Sequence, residues 1–153
     1  MADTKAIAVF ESLYRRTDQQ IREIIAATPA PAEIDTINVI IGDGVNVLTA
    51  GVAAAIRVDF RAIISGSFVQ EFDGTSGSVV LSIEKSAPGP APTFTSIVAS
   101  APPTISSGRY GADEELAGWT TDIDRGDLLR WSVSSATSIK RVLTTLRIRR
   151  LEP

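Results

Sequence analysis

Gly118-Trp119-Thr120-Thr121-Asp122-Ile123-Asp124-Arg125-Gly126-Asp127-Leu128-Leu129-Arg130-Trp131-Ser132-Val133 is the stretch whose reading decides the fold. It holds both tryptophans and the densest acid cluster of the chain. A Gly-Asp turn feeds an alternating run in which Leu129, Trp131 and Val133 share one parity and Arg130 and Ser132 the other. Period-two alternation entered through a tight turn predicts a half-buried β-strand.

Working outward, the same grammar fills the chain from Ile34 to its end. Ile37, Val39 and Ile41 alternate, and Gly42-Asp43-Gly44 turns before Val45, Val47 and Leu48. Ala54, Ile56, Val58 and Phe60 share a face, and Ile63-Ile64 and Phe68-Val69 follow with a bulge expected at Gly66. Asp73-Gly74-Thr75-Ser76-Gly77 reads as a turn before Val79, Leu81 and Ile83. The Pro-rich run Ala87 to Pro92 reads as a surface loop, Phe94 to Val98 as a short strand, 101–111 as irregular, and Asp113 to Leu116 as a helical turn. Val142, Thr144, Leu146 and Ile148 form the inner face of a last strand, with Arg141, Arg147 and Arg149 outward. Short strands between Gly/Pro turns predict a mainly β protein, an antiparallel β-sandwich or jelly-roll domain over 34–153.

The N-terminal 1–28 reads differently. Asp3 or Thr4 can cap a helix and Pro29 stops it. Ile7, Tyr14 and Ile21 fall seven apart, as do Phe10, Thr17 and Ile24 three later. Those six positions form a heptad seam of about three heptads, expected to oligomerise as a trimeric coiled-coil-like helix or to attach to a partner. The plainer reading is an amphipathic helix lying on its own domain. Glu11–Arg15 and Asp18–Arg22 are i,i+4 acid-to-base pairs. Thr28-Pro29-Ala30-Pro31-Ala32 is a stiff boundary, and the linker is placed at 29–33.

Composition narrows the chemistry. The 153 residues contain no cysteine and no histidine, and the net charge is -3. Disulfides, thiolate chemistry, Ser-His-Asp catalysis and the usual zinc sites are excluded. The charge balance does not suggest nucleic-acid binding. No apolar run reaches the ~18 residues of a membrane span, and Met1 to Lys5 lacks the start of a signal peptide. No phosphate loop or dinucleotide fingerprint is present. No enzyme activity, cofactor, metal or membrane insertion is expected.

One resemblance adds to this. Ile41-Gly42-Asp43-Gly44-Val45-Asn46-Val47-Leu48-Thr49-Ala50-Gly51, then Gly77 to Lys85, Gly118 to Thr121, Gly126-Asp127-Leu128 and Val142 to Leu146 follow one another in order. Together these resemble a β-sandwich module of tail-fibre and other exterior structural proteins of tailed bacteriophages, over about residues 37 to 148. The resemblance implies a trimeric virion protein, made in the host cytoplasm, such as a short tail fibre acting in host attachment. A head decoration or neck protein is the alternative setting. Its partners would be sister chains, other tail, neck or capsid proteins, and a host-surface glycan or protein receptor.

Three local features invite site readings. Asp122, Asp124 and Asp127 offer carboxylates for a hard cation, against the plainer reading of a solvated turn. Arg125-Gly126-Asp127 spells an integrin-type tripeptide, which the turn itself explains. Tyr110 and Trp119, with Asp113, Glu114 and Glu115, offer stacking faces and hydroxyl acceptors for a saccharide, a lectin-like alternative. Against it stands Trp119 packed in the core. The basic residues Lys140, Arg141, Arg147, Arg149 and Arg150 are expected to meet the acids of 113–127 or to stand solvated.

Overall fold

The computed structural model describes residues 11, 14–23 and 33–151. The chain divides into two compact units, Met1–Pro31 and Ala32–Pro153. In the first, residues 14–23 are helical. Arg22 Nε donates to Asp18 Oδ2 at 3.0 Å, the i,i+4 pair read from the sequence. Gln19 Nε2 donates to Glu23 Oε1 one step along the same helix. Of the seam, Tyr14, Thr17 and Ile21 lie on the described helix and are exposed. Ile7, Phe10 and Ile24 lie outside the described residues.

The second unit is built from ten strands: β1 (Ile34–Ile41), β2 (Gly51–Arg57), β3 (Arg61–Glu71), β4 (Gly77–Ser86), β5 (Thr95–Ser96), β6 (Thr104–Gly108), β7 (Tyr110–Asp113), β8 (Asp122–Ile123), β9 (Leu128–Thr137) and β10 (Val142–Leu151). One sheet runs β1-β10-β3-β7, with β8 also on β3. The other runs β2-β9-β4-β5, with β6 also on β4. Every pairing between these strands is antiparallel. β1 to β4 alternate between the two layers, and β9 and β10 return to pair inside them. That is the double-wound connectivity of a jelly roll, with the outermost place in each sheet shared by two short strands.

Parity decides what each strand buries, because successive side chains point to opposite faces. Leu129, Trp131 and Val133 of β9 are buried, as the opening stretch predicts. Val142, Thr144, Leu146 and Ile148 of β10 are fully buried. Ile37, Val39 and Ile41, then Val79, Leu81 and Ile83, fill the space between them. A register shift on β3 falls between the partners of Arg147 and Ile148, leaving Ser65 unpaired beside the expected bulge position Gly66.

Four local expectations are corrected. Val45, Val47 and Leu48 form no strand. Asp43 Oδ1 accepts the backbone N–H of Val45 at 2.8 Å and of Asn46 at 2.9 Å, and this side-chain turn takes the donors a ladder needs. Ala54 to Phe60 is not one strand, since β2 ends at Arg57 and β3 begins only at Arg61. The 101–111 segment is not irregular but carries β6 and the start of β7. Asp113 to Leu116 is not helical. Asp113 Oδ1 accepts the N–H of Glu115 and of Leu116, each at 3.0 Å, and Leu116 sits at φ +49°, which stops a helix.

Candidate assembly surface

Within the acid cluster of the opening stretch, Asp127 serves its own turn while Asp122 and Asp124 are exposed. Asp127 is buried, its Oδ2 accepts the Asp124 N–H at 2.9 Å, and Lys85 Nζ stands 3.3 Å from it. Lys85 Nζ also donates to the Asp122 carbonyl at 2.7 Å. Asp124 faces Arg61 at 3.5 Å. Among the described residues no cluster of acids is arranged to hold a metal ion. A buried Asp127 also removes the Arg125-Gly126-Asp127 tripeptide from solvent-borne recognition.

The residues expected to form a saccharide site have different surroundings. Trp119 is only 8% exposed, belongs to the core, and its Nε1 donates to the Ala101 carbonyl at 2.9 Å. A ring enclosed in this way cannot stack on a sugar. Tyr110 is 56% exposed on β7. Asp113 is occupied by the turn it caps, and Glu114 accepts from Arg147 Nη2 at 2.9 Å. Glu115 is exposed.

The basic face of β10 is distributed among acids from several strands. Arg147 meets Glu114, which is the expected pairing with the 113–127 acids. Arg141 pairs with Asp73, and Arg150 with Asp35 at 2.6 Å. Aromatic faces take part, with Arg150 lying 4.2 Å over Phe60 and Arg141 4.7 Å over Phe72. Two concavities stand out. One of about 100 Å³ lies between Ser67, Val69, Pro103, Thr104 and Asp113. A wider one is lined by Asp59, Phe60, Arg61, Arg125 and Arg150, with charges of both signs and its aromatic face covered by Arg150.

The surface with an unmet requirement is the β1 edge. The four places where a sheet ends are treated differently. β7 and β8 are short pieces, and so are β5 and β6. β2 is interrupted by a register shift between Val52 and Ala54 and ends on Arg57. Short strands, bulges and charge are the ordinary means of blocking edge-to-edge pairing. β1 has none of the length or bulge defences: Ile34–Ile41 pairs with β10 without a shift and contains no proline, glycine or lysine. Its only charge, Asp35, is held by Arg150.

Backbone parity shows what that edge offers. The Arg150 N–H donates to the Glu33 carbonyl at 2.9 Å, so Glu33 and every second residue after it turn their backbone groups toward β10. Ile34, Thr36, Asn38 and Ile40 therefore point theirs away from the sheet. The Thr36 N–H is taken by Asp35 Oδ1 at 2.7 Å. Among the described residues no strand pairs with the rest. The side chains of the same residues include Ile34 and Ile40, 72% and 61% exposed. Val45 in the next turn and Val52 on the neighbouring β2 are exposed aliphatics as well. None of the site residues expected from the sequence lies on this edge; its signal there is apolar residues, Ile34 and Ile40, on the outward parity of a strand.

No protein-family model matches the chain, and no curated protein matches it. Among solved structures, it is similar to a chain in "Capsid of Ralstonia phage GP4", with 11% identity, a TM-score of 0.45, and 82% of this chain and 92% of that chain covered. It is similar to a chain in "Cyanophage Pam1 capsid asymmetric unit", with 17% identity, a TM-score of 0.36, and the same coverages of 82% and 92%. A third similar chain, in "Structure of infectious bursal disease virus Gx strain", shows 9% identity and a TM-score of 0.22, with 80% of this chain and 38% of that chain covered. Similarity at this level fixes neither family nor function.

Proposed function

We propose that this chain is an exterior structural subunit of a tailed-phage virion, acting through assembly and shape and carrying out no catalysis. The observation that carries the assembly part is the undefended β1 edge, with Ile34 and Ile40 exposed beside backbone groups that no strand among the described residues pairs with. A free-standing sandwich normally blocks such an edge, whereas a subunit covers it with a neighbour. The exposed Tyr14 and Ile21 on the helix point the same way, as positions that a sister helix or a virion partner would cover. The phage setting comes from the ordered motifs between Ile41 and Leu146, and two of the similar solved chains carry capsid titles in keeping with it.

Within that setting the reading is a short appendage or a head-decoration subunit, with the helix as its oligomerisation or attachment element. Repetition of weak contacts then does the work through effective concentration. The decisive measurement is sedimentation velocity of the full chain over a concentration series. A stable oligomer at micromolar concentration is expected, and a monomer throughout would overturn the proposal. Antibody labelling of particles would separate a tail position from a capsid position.

A further inference from the structure

We infer that β1 is a self-pairing edge: two copies of this chain join antiparallel along Ile34–Ile41 about a twofold axis at Ile37. The inference rests on the assembly reading and adds the partner, the symmetry and the register.

Strand addition to an open edge uses backbone donors and acceptors for affinity and outward side chains for selection. On β1 the outward backbone groups belong to Ile34, Thr36, Asn38 and Ile40, and the same residues expose their side chains. A partner strand must keep parity, because a slip by one residue exchanges the core face for the solvent face. Under a twofold axis only axes through a residue satisfy this. An axis at Ile37 sets Ile34 opposite Ile40 of the second copy and Thr36 opposite Asn38. Both exposed isoleucines are then covered at once, apolar against apolar and amide against hydroxyl. An axis one residue later, at Asn38, would set Ile34 against Gly42 and Ile40 against Thr36, leaving both without an apolar partner. The edge is thus complementary to itself in one register.

Charge selects the same occupant. Asp35 is the sole charge on the strand and is already neutralised by Arg150, so no free charge on β1 calls for a charged partner strand. A second copy brings none and meets no repulsion. Asp35 Oδ1 must release the Thr36 N–H as the strands close, which makes Asp35 the one brake on the edge.

The test is sedimentation equilibrium of the full chain with charge placed on the two isoleucines. Both are exposed, so the folded protomer tolerates the change, and circular dichroism verifies that. Ile34→Lys/Ile40→Lys sets like charges opposite each other twice and is expected to weaken the β1-dependent association by about tenfold. Ile34→Glu/Ile40→Lys sets opposite charges at the same two places and is expected to recover most of that loss. A register-specific check uses the absence of cysteine in the chain. Ile37→Cys lies on the axis, where non-hydrogen-bonded pairs bring Cα atoms to about 4.5 Å, within disulfide reach. Mild oxidation is expected to give a covalent dimer. An oligomer whose mass and affinity ignore all three variants would overturn the edge pairing while leaving assembly intact. A chain that is monomeric in wild-type form would overturn both.

Discussion

Glu71 and Arg109 close one end of the sandwich. The Glu71 carboxylate is fully buried, and Arg109 Nε donates to its Oε2 at 2.8 Å. The Glu71 N–H also donates to the Arg109 carbonyl at 2.8 Å, so the pair is tied through backbone and side chain. The same carboxylate accepts the N–H groups of Asp73, Gly74 and Thr75. It therefore holds the whole β3–β4 turn from inside. Glu71→Gln removes the charge and leaves donors short of an acceptor. The expected cost is about 3 kcal/mol, read as a lower urea midpoint with an unchanged slope.

Acid should loosen the same end of the molecule. Burial pushes the Glu71 carboxyl up, but the Arg109 hydrogen bond, the turn N–H groups and the Arg109 charge together hold it below the ordinary range. Asp43 is held at about 2, chiefly by the Asn46 and Val45 hydrogen bonds of its turn. A carboxyl whose pKa is lower folded than unfolded adds stability that is complete above its unfolded pKa. That stability is lost as pH falls toward the folded value. Melting temperature is thus expected to hold from neutrality down to about pH 4–5 and to drop below it. In Asp43→Ala the part of that drop lying between pH 3.8 and about 2 should shrink.

Trp119 and Tyr110 should separate cleanly. Trp119→Ala empties a core position and strands the Ala101 carbonyl, with an expected loss of about 3–5 kcal/mol. Tyr110→Ala removes an exposed ring and should stay within about 0.5 kcal/mol. Parallel denaturant melts check both. Equal effects would contradict the buried placement of Trp119.

Gly111 sits where the two layers come together. A Cβ built there would overlap the Thr104 carbonyl oxygen, which is backbone and cannot swing aside. Gly111→Ala should force β7 away from β6 at a cost of about 1–3 kcal/mol. Hydrogen exchange is expected to rise at Ser67 and Val69, whose N–H groups face Asp113 and Gly111 across the β3–β7 ladder. An unchanged exchange pattern would show that the approach is looser than the structure has it.

The sequence by itself determined the class of fold and the inside of each long strand. Alternation at Leu129, Trp131 and Val133, and from Val142 to Ile148, is a local property, since side-chain direction follows backbone parity. The change of grammar near Pro29–Pro31 was local too. The strand expected at Val45 to Leu48 and the helical turn expected at Asp113 to Leu116 do not form, because the short polar side chains of Asp43 and Asp113 take neighbouring N–H groups. Only the tertiary structure decided which sheet ends are blunted and that, among the described residues, no strand covers the outer edge of β1, since an edge is defined by the strands that fail to pair with it. It also decided that Trp119 is interior and that Asp127 serves its own turn, because burial and ion pairing are set by segments distant along the chain, such as Ala101 and Lys85.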